Sequence, residues 1–259
     1  MATIALAGKG GSGKTTVAGL VINYLLMTGK KPVLAVDADP NSNLNEVLGT
    51  GFDRTVVSTV DEIMEQKDKL PAGITKERLL EFHLQDALIE SKGFDLLVMG
   101  RTEGAGCYCR ANDLLRSFME KLRENYPYVV MDNEAGMEHL SRRTTRDVDI
   151  LLVLANPTPV SFRAAQRIYE TVKKLKLNVK RSYLVVNEMG GEKGGFKGEA
   201  GKIDKEREEA GMFPKLEVLG HIPYDEELLK ASINGRSVFD LPCLSIAQKS
   251  VEQMMEKLG

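Results

Sequence analysis

The sequence has no tryptophan, only three cysteines and no long apolar run. Three cysteines in 259 residues are too few for a disulfide framework, so we expect reduced thiols, as in the cytoplasm. No apolar stretch approaches the roughly 20 residues of a membrane helix, and the first residues do not have the pattern of a secretory leader. These absences exclude secreted, membrane-spanning and fibrous classes and predict a cytoplasmic protein.

Charge of one sign is not in excess either, because 35 basic and 37 acidic side chains leave a formal net charge of −2. Such a balance gives no global positive field to hold nucleic acid or an anionic membrane, although a local basic patch stays open. We therefore expect neither as a partner. Hydrophobic residues make up 42% of the chain, which is enough for a substantial core, and we predict a single domain over residues 1–259.

Short apolar runs alternate with segments of helical spacing along the chain. The runs are continuously apolar, which is typical of strands covered by helices on both faces. This rhythm predicts an α/β fold with a doubly wound, mostly parallel sheet flanked by helices on both faces. The predicted strands are Thr3–Ala7, Pro32–Asp37, Phe94–Gly100, Tyr128–Asp132, Ile150–Ala155 and Arg181–Asn187. The predicted helices are Thr15–Thr28, Thr75–Ser91, Asp113–Asn125, Phe162–Leu175 and a C-terminal helix packed on the body.

A glycine-rich segment lies between the first predicted strand and the first predicted helix. Its sequence, GKGGSGKT from residue 8, matches the P-loop pattern G-x-x-x-x-G-K-[ST]. Glycines let the backbone turn its N–H groups toward phosphate oxygens, and the helix adds its positive amino-terminal end. Lys14 would neutralise the β- and γ-phosphates, and the Thr15 hydroxyl would bind Mg²⁺. The predicted phosphate-binding residues are Gly8, Gly10, Gly11, Ser12, Gly13, Lys14, Thr15 and Thr16.

Lys9 is a second lysine inside this loop, directly after its first glycine. Phosphate binding within one chain needs only Lys14, so the extra cation suggests charge supplied to another nucleotide or to the transition state, as an arginine finger does. The loop resembles the deviant Walker A sequence G-K-G-G-x-G-K-T of the MinD/ParA/nitrogenase iron-protein class of ATPases. The resemblance implies that ATP is the ligand. It also implies a homodimer in which Lys9 crosses the interface to the phosphates of the other subunit and acts with Lys14 in catalysis.

Three aspartates follow strand-like runs, and their positions resemble the switch and Walker B segments of the same class. One aspartate at a strand end is often only a helix cap, but three of them together with a P-loop favour Mg²⁺ and phosphate chemistry. By resemblance, Asp39 would orient or deprotonate the attacking water, and Asp37 would support Mg²⁺ through water. Asp132 would hold the Mg²⁺ shell, and Gly136 would sense the γ-phosphate.

Two further positions resemble the base-binding part of the class. Asn187 ends a strand-like run where the class has an asparagine whose amide contacts adenine N6 and N7. Pro223 lies in the segment Ile222–Asp225, which matches a later loop that packs on the base. Asparagines at strand ends and proline turns are common, so this pattern is less specific than the P-loop.

Cys107 and Cys109 lie close together in a glycine-flanked segment after a predicted strand. One chain supplies two thiolates, too few for a closed tetrahedral soft-metal site, whereas a symmetric dimer with the pair on its axis supplies four. Such a site selects Zn²⁺, Cu(I), an Fe–S cluster or, with suitable geometry, Ni²⁺. The alternative is a pair of buried or redox-inert thiols, and the polar flanking residues argue against it.

The segment Cys107-Tyr108-Cys109-Arg110, together with Ala135-Gly136 and Glu138-His139-Leu140, resembles the CooC family, including its AcsF-type members. These are nickel-insertion ATPases that mature carbon monoxide dehydrogenase and acetyl-CoA synthase. The resemblance implies that Cys107 and Cys109 bind Ni²⁺ or Zn²⁺ across a homodimer. It also implies that such a nickel enzyme is the partner.

Two other functions stay open on the sequence alone. Four cysteines at a dimer axis could hold a [4Fe–4S] cluster in an ATP-driven electron donor or Fe–S carrier, although the iron-protein ligands lie far apart in sequence. A MinD- or ParA-like positioning ATPase would act on a membrane or DNA instead. Membrane-bound members carry a basic amphipathic tail, whereas the C-terminal helix predicted here mixes lysine and glutamate on its polar face.

Overall fold

The computed structural model describes residues 2–65, 76–101, 117–134, 147–175, 177–188, 215–242 and 245–259. Eight strands within these residues form one sheet: β1 (Ala2–Gly8), β2 (Val33–Ala38), β3 (Leu88–Glu90), β4 (Phe94–Val98), β5 (Tyr128–Asn133), β6 (Asp147–Ala155), β7 (Asn178–Asn187) and β8 (Glu217–Ile222). Their order is β3-β4-β2-β5-β1-β6-β7-β8, and only the β3–β4 pair is antiparallel. The predicted mostly parallel sheet is therefore confirmed, with β1 among its central strands.

Helices cover both faces of the sheet, as the continuously apolar strands predict. One face carries α1 (Lys14–Met27), α2 (Leu44–Leu48), α7 (Glu226–Ile233), a 3₁₀ turn (Val238–Asp240) and α8 (Ile246–Leu258). The other carries α3 (Val56–Glu65), α4 (Lys76–Asp86), α5 (residues 117–123) and α6 (Pro159–Lys174). Within β1, Ile4 and Leu6 face the first layer and Ala5 and Ala7 face the second. Successive side chains of a strand point to opposite faces of the sheet. A strand with helices packed on both faces is therefore apolar at every position.

Helix α1 is buried all round rather than on one face. Every residue from Val17 to Leu25 is buried, because α8 and the 3₁₀ turn cover the side of α1 that faces away from the sheet. The one polar residue in that stretch, Asn23, donates to Gln248 Oε1 at 3.1 Å and so keeps its amide hydrogen-bonded. The predicted packing of the C-terminal helix on the body is confirmed by the buried residues Ala247, Val251, Met254, Met255 and Leu258. The helix that follows the glycine-rich loop is thereby held on all sides.

One predicted helix is wrong at its end, and one strand of the sheet was not predicted. The predicted helix Thr75–Ser91 ends at Asp86, and Leu88–Glu90 forms the antiparallel edge strand β3. A short apolar run can form either a helix or a strand. Residues 88–90 form a strand because they pair with β4 across a turn that contains Gly93 (φ 90°). Strand β8 was not predicted, because it is an edge strand with only two fully buried residues. Among the described residues, no helix is long and apolar enough to cross a bilayer.

Candidate functional site

The glycine-rich loop joins the end of β1 at Gly8 to the start of α1 at Lys14. Gly11 and Gly13 have φ values of 77° and 86°, a region that favours glycine, and the Ser12 N–H donates to the Lys9 carbonyl at 3.0 Å. Gly8 packs so closely on β6 that a Cβ there would lie 2.6 Å from the Leu154 carbonyl oxygen. The loop is thus a tight turn held against the neighbouring strand, as a backbone cradle for phosphate requires.

The two lysines of the loop lie in different surroundings. Lys14 is 6% exposed, at the first position of α1, and its charge lies close enough to Asp132 to lower the pKa of that carboxyl group. Lys9 is exposed, as are Gly10 and Gly11 beside it, whereas Thr15 and Thr16 are half-buried in the first turn of α1. The buried Lys14 is thus inaccessible from outside the site, whereas the exposed Lys9 is accessible to a second molecule.

The structure brings the predicted carboxylates together beside the loop. Asp37 on β2 and Asp132 on β5 are aligned partners in the parallel pairing of these strands. Asp132 is aligned in turn with Leu6 on β1, two residues before Gly8. The strand order places β5 between β1 and β2. Both carboxyl groups therefore lie at the carboxyl-terminal ends of neighbouring parallel strands, which is where the loop leaves β1; we call it the carboxyl edge of the sheet. Ligands of open α/β sheets bind at this edge.

Asp132 is fully buried, and burial raises its pKa to about 6, because the ionised form is disfavoured away from water. The Thr15 hydroxyl and the Lys14 ammonium group act in the opposite direction. Neither carboxylate oxygen accepts a hydrogen bond of normal geometry from the described residues. A buried carboxylate that accepts no hydrogen bond of normal geometry and lies beside a threonine hydroxyl suits a cation, so the residues present fit Mg²⁺.

Asp37 has a different environment from Asp132, although it is equally buried. Burial raises its pKa to about 7, and the nearby Asp132 charge adds to this rise. Its Oδ1 accepts from the Asp39 N–H at 3.1 Å and its Oδ2 from the Leu44 N–H at 2.9 Å. Asp37 therefore holds in place both the backbone of the predicted catalytic Asp39 and the first residue of α2. Sequence reasoning missed this part of its role.

Asp39 is half-buried and close enough to Asp132 and Asp37 to raise the pKa of both. Its Oδ1 accepts from the backbone N–H and the side-chain amide of Asn41, each at 2.9 Å. No three His, Cys, Asp or Glu side chains converge on a common point within the described ranges. A Mg²⁺ ion here would accordingly rely on Thr15, water and phosphate oxygens for most of its ligands.

The predicted base-binding residues also lie at this edge. Asn187 ends β7 and is aligned with Ile222 of β8, the residue before Pro223. The Asn187 side chain is buried, and its Nδ2 donates to the Ser12 carbonyl of the glycine-rich loop at 2.8 Å. Asn156, which directly follows β6, donates from Nδ2 to the Asn187 carbonyl at 3.2 Å. Sequence reasoning missed Asn156, whose only signal is that it follows an apolar run.

Asp225, in the loop after β8, anchors two helices at once. Its Oδ1 accepts from the N–H groups of Glu227 and Leu228 at 2.9 and 3.2 Å, which caps α7. Its Oδ2 accepts from Ser245 Oγ at 2.8 Å and from the Ala247 N–H at 3.0 Å, at the start of α8. Burial alone would raise the pKa of Asp225, but these hydrogen bonds, led by the one from Ala247, hold it below its ordinary value.

Replacing Asp225 by asparagine is expected to destabilise the protein by about 2–3 kcal/mol at pH 7, because one pair of donors would then face an amide group. A depressed folded pKa stabilises above the ordinary carboxyl pKa and loses that contribution as pH falls through the folded value. The difference in melting temperature between the wild type and Asp225→Asn should therefore be roughly 5–8 °C at pH 7 and shrink below about pH 4. Asp53→Asn, at an exposed position, is the control, and an equal loss there would contradict the assignment.

A parallel sheet whose first strand passes through a glycine loop into a buried helix, with carboxylates on the next two strands, defines a P-loop nucleotide-binding protein. Residues 3–238 match the model of the CbiA family, the CobQ/CobB/MinD/ParA nucleotide binding domain. The chain therefore belongs to this family and is an ATPase of the MinD/ParA type.

The chain resembles individual members of this family over nearly its whole length. An uncharacterised ATP-binding protein of Methanocaldococcus jannaschii is 38% identical over 257 residues, which cover 98% of this chain and 97% of its own. The carbon monoxide dehydrogenase accessory protein CooC of Rhodospirillum rubrum is 27% identical over 273 residues, covering 99% and 97%. A ParA family ATPase from Chlorobium tepidum superposes with a TM-score of 0.72 at 18% identity, covering 100% and 98%. This last likeness shows the fold.

Some predicted site residues lie outside the described part of the chain. Gly136, which would sense the γ-phosphate, and both cysteines of the predicted metal site, Cys107 and Cys109, are among them. Their roles stay predictions. The described part of the site comprises the glycine-rich loop, the buried Asp37 and Asp132, and the chain around Asn187 and Pro223.

Proposed function

We propose that this protein is an ATP-hydrolysing metallochaperone that binds Ni²⁺ or Zn²⁺ through Cys107 and Cys109 at a homodimer interface. Its acceptor would be carbon monoxide dehydrogenase or acetyl-CoA synthase. The observation that carries this proposal is the similarity to CooC over 99% of the chain, at 27% identity, combined with the C-x-C pair in the sequence. Neither part would suffice alone, because the family includes nucleotide-binding proteins of several kinds.

The described residues divide the ATPase chemistry among themselves. Lys14 would bind the β- and γ-phosphates, and Thr15 with Asp132 would hold Mg²⁺, which shields phosphate charge when it is bound. Asp39 would orient the attacking water, and the Asp37 carboxylate keeps the Asp39 backbone in place. Exposed Lys9 would reach the phosphates of the second subunit and stabilise the transition state there.

The metal would be cargo rather than a resident cofactor. Two thiolates from each subunit give four soft ligands only while the two chains are paired, so a change in dimer geometry changes metal affinity. ATP binding closes the dimer through Lys9, and hydrolysis releases that contact. In this proposal the energy of ATP thus controls when the metal is held and when it is given up.

Gel filtration combined with metal analysis tests the proposal in four states: without additions, with ATP, with Ni²⁺, and with both. We expect about one metal ion per dimer for the wild type. Cys107→Ala with Cys109→Ala should lose the metal and keep ATP binding, while Cys243→Ala serves as the matched control. Lys9→Ala should keep the monomer fold but lose ATP-driven dimerisation and most hydrolysis.

Two outcomes of this experiment would count against the proposal. Undiminished metal binding in the double cysteine variant would remove the metal site, and full ATP turnover in Lys9→Ala would remove the role of that lysine across the interface. A brown protein with absorbance near 400 nm would instead favour the Fe–S carrier.

A positioning ATPase of the MinD or ParA kind is the second candidate, and membership in the family that includes both supports it. A membrane-binding tail, however, needs an apolar helix face that is available to lipid. The apolar side of α8 is buried against α1 and β8, and the Lys257 ammonium group donates to the Leu219 carbonyl at 3.1 Å. Sedimentation with anionic liposomes in the presence of ATP would support this candidate over the metallochaperone.

A further inference from the structure

Asn133, the last residue of β5, has a buried side chain that bridges two strands of the sheet. Its Nδ2 donates to the Leu6 carbonyl of β1 at 2.9 Å and to the Met131 carbonyl of its own strand at 3.2 Å. Carbonyl oxygens only accept, so the NH₂ end of the amide faces these groups and its oxygen points away. Asn133 therefore connects the strand of the buried Asp132 to the strand that leads into the glycine-rich loop.

This connection lies where the pairing between β1 and β5 ends. The last aligned pair of the two strands is Leu6 with Asp132. Beyond that pair, β5 stays paired with β2 through Asn133, and β1 stays paired with β6 through Gly8. The two strands thus separate at the carboxyl edge of the sheet, where the glycine-rich loop leaves β1. The Asn133 amide spans this separation one residue after Asp132.

Asn133 and Asp132 point to opposite faces of the sheet, because successive side chains of a strand alternate. Val130 packs in the layer of α1, and Met131 packs in the layer of α3 to α6. Asp132 therefore faces α1, in agreement with the effect of Lys14 on its pKa, and Asn133 faces the other layer. Asn133 is directed away from a nucleotide bound at the loop, so a role in that site has to act through the backbone of β5.

Stability alone does not explain an amide at this position. The Asn133 Oδ1 is buried and accepts no hydrogen bond from the described residues. An unpaired buried acceptor destabilises a fold, which offsets the gain from the two bonds that Nδ2 makes. The same face of the sheet is otherwise apolar here, with Val129 and Met131 on β5 and Ala7 on β1. A buried amide in such surroundings favours a positioning role over a stabilising one.

We propose that Asn133 is a positioning residue for the Mg²⁺ side of the ATPase site. Its amide holds the end of β5 against β1 and so keeps the Asp132 carboxylate beside the glycine-rich loop. Without the amide the two strands can separate further, and the carboxylate moves away from Lys14 and Thr15. The inference rests on the proposed assignment of Asp132 to the Mg²⁺ shell. It predicts that loss of the amide weakens the Mg²⁺-dependent part of ATP binding and no other part.

Isothermal titration calorimetry of the full chain with ATP, in Mg²⁺ and in EDTA, tests this inference. For Asn133→Ala we expect roughly tenfold weaker binding in Mg²⁺ and less than about a twofold change in EDTA. In the Asp132→Asn background the same substitution should add less than about twofold, because it acts through that carboxylate. Amide hydrogen exchange in the nucleotide-free variant should be roughly tenfold faster at residues 5–8 and 131–134, since a bond between the strands is lost.

Asn23→Ala is the matched control, because Asn23 is also a buried asparagine whose Nδ2 donates to a group distant in sequence, Gln248 Oε1. Asn23 lies about 14 Å along α1 from Lys14. The control variant can lower the melting temperature, but it should leave both affinities and the exchange at the two strand ends unchanged. If Asn133→Ala does not fold, Asn133→Val removes the same donor and leaves a smaller cavity.

Several outcomes would overturn the inference. They are an unchanged affinity of Asn133→Ala in Mg²⁺, an equal loss in Mg²⁺ and in EDTA, and a full further loss in the Asp132→Asn background. If wild-type protein binds ATP equally well in Mg²⁺ and in EDTA, the Mg²⁺ role of Asp132 fails, and the inference fails with it. Wild-type protein that binds no ATP would refute the nucleotide site itself.

Discussion

Replacing Asp132 by asparagine is expected to stabilise the nucleotide-free protein and, at the same time, to remove most of its Mg²⁺-dependent affinity for ATP. The carboxylate is fully buried without a hydrogen bond of normal geometry, and its pKa of about 6 shows that its charge is unfavourable in the folded state. A neutral side chain of the same shape avoids that cost. We expect a gain of about 1–2 kcal/mol at pH 8, or roughly 3–6 °C in melting temperature.

The same substitution removes the negative charge that would hold the Mg²⁺ shell. Outer-shell partners of a metal contribute about 10–100-fold to affinity, so titration of Asp132→Asn with ATP should show a loss of this size in Mg²⁺ and little change in EDTA. Asp39→Asn is the control for stability, because Asp39 is only half-buried and its melting temperature should stay near that of the wild type. Destabilisation of the nucleotide-free Asp132→Asn protein would contradict our account of the site.

Replacing Gly8 by alanine should damage both the fold and the ATPase. The new Cβ would lie 2.6 Å from the Leu154 carbonyl oxygen and 2.5 Å from Ser12 Oγ. Leu154 is the partner of Gly8 in the β1–β6 pairing, so neither backbone can move without disturbing the centre of the sheet. We expect a loss of about 2–3 kcal/mol in stability. We also expect hydrolysis about 100-fold slower, since a displacement of roughly 1 Å in the loop misplaces the phosphates.

Thermal melts and a phosphate-release assay measure these two effects of Gly8→Ala. Gly51→Ala is the matched control: among the described residues, no heavy atom beyond Gly51 and its two chain neighbours lies within 4 Å of a Cβ at Gly51, and its φ is not in the left-handed region. It should leave stability and hydrolysis close to the wild type. Gly8→Ala protein with unchanged hydrolysis would mean that the loop does not need this close contact with β6.

Much of the candidate site could be predicted because its signals are local. The glycine spacing, Lys14 and Thr15 occur in one continuous segment between a strand and a helix, and that order alone is typical of a phosphate loop. Asp37 and Asp132 could be predicted as neighbours because the carboxyl ends of adjacent parallel strands meet at one edge. The hydrogen-bond partners of these aspartates could not be predicted from the sequence. The Leu44 N–H, for example, reaches Asp37 only because of the path that the loop between them takes.

The sequence by itself determined the class of fold, because apolar runs that alternate with helical segments leave few arrangements other than a parallel sheet covered on both faces. Only the tertiary structure decided which residues far apart in the sequence are in contact. Leu88–Glu90 is a strand only because it pairs with β4, and the outer side of α1 is buried only because α8 and the 3₁₀ turn pack on it. The hydrogen bond from the Asn187 side chain to the Ser12 carbonyl joins residues that are 175 positions apart. Local patterns specify which elements form, but contacts between distant elements exist only once the chain has folded.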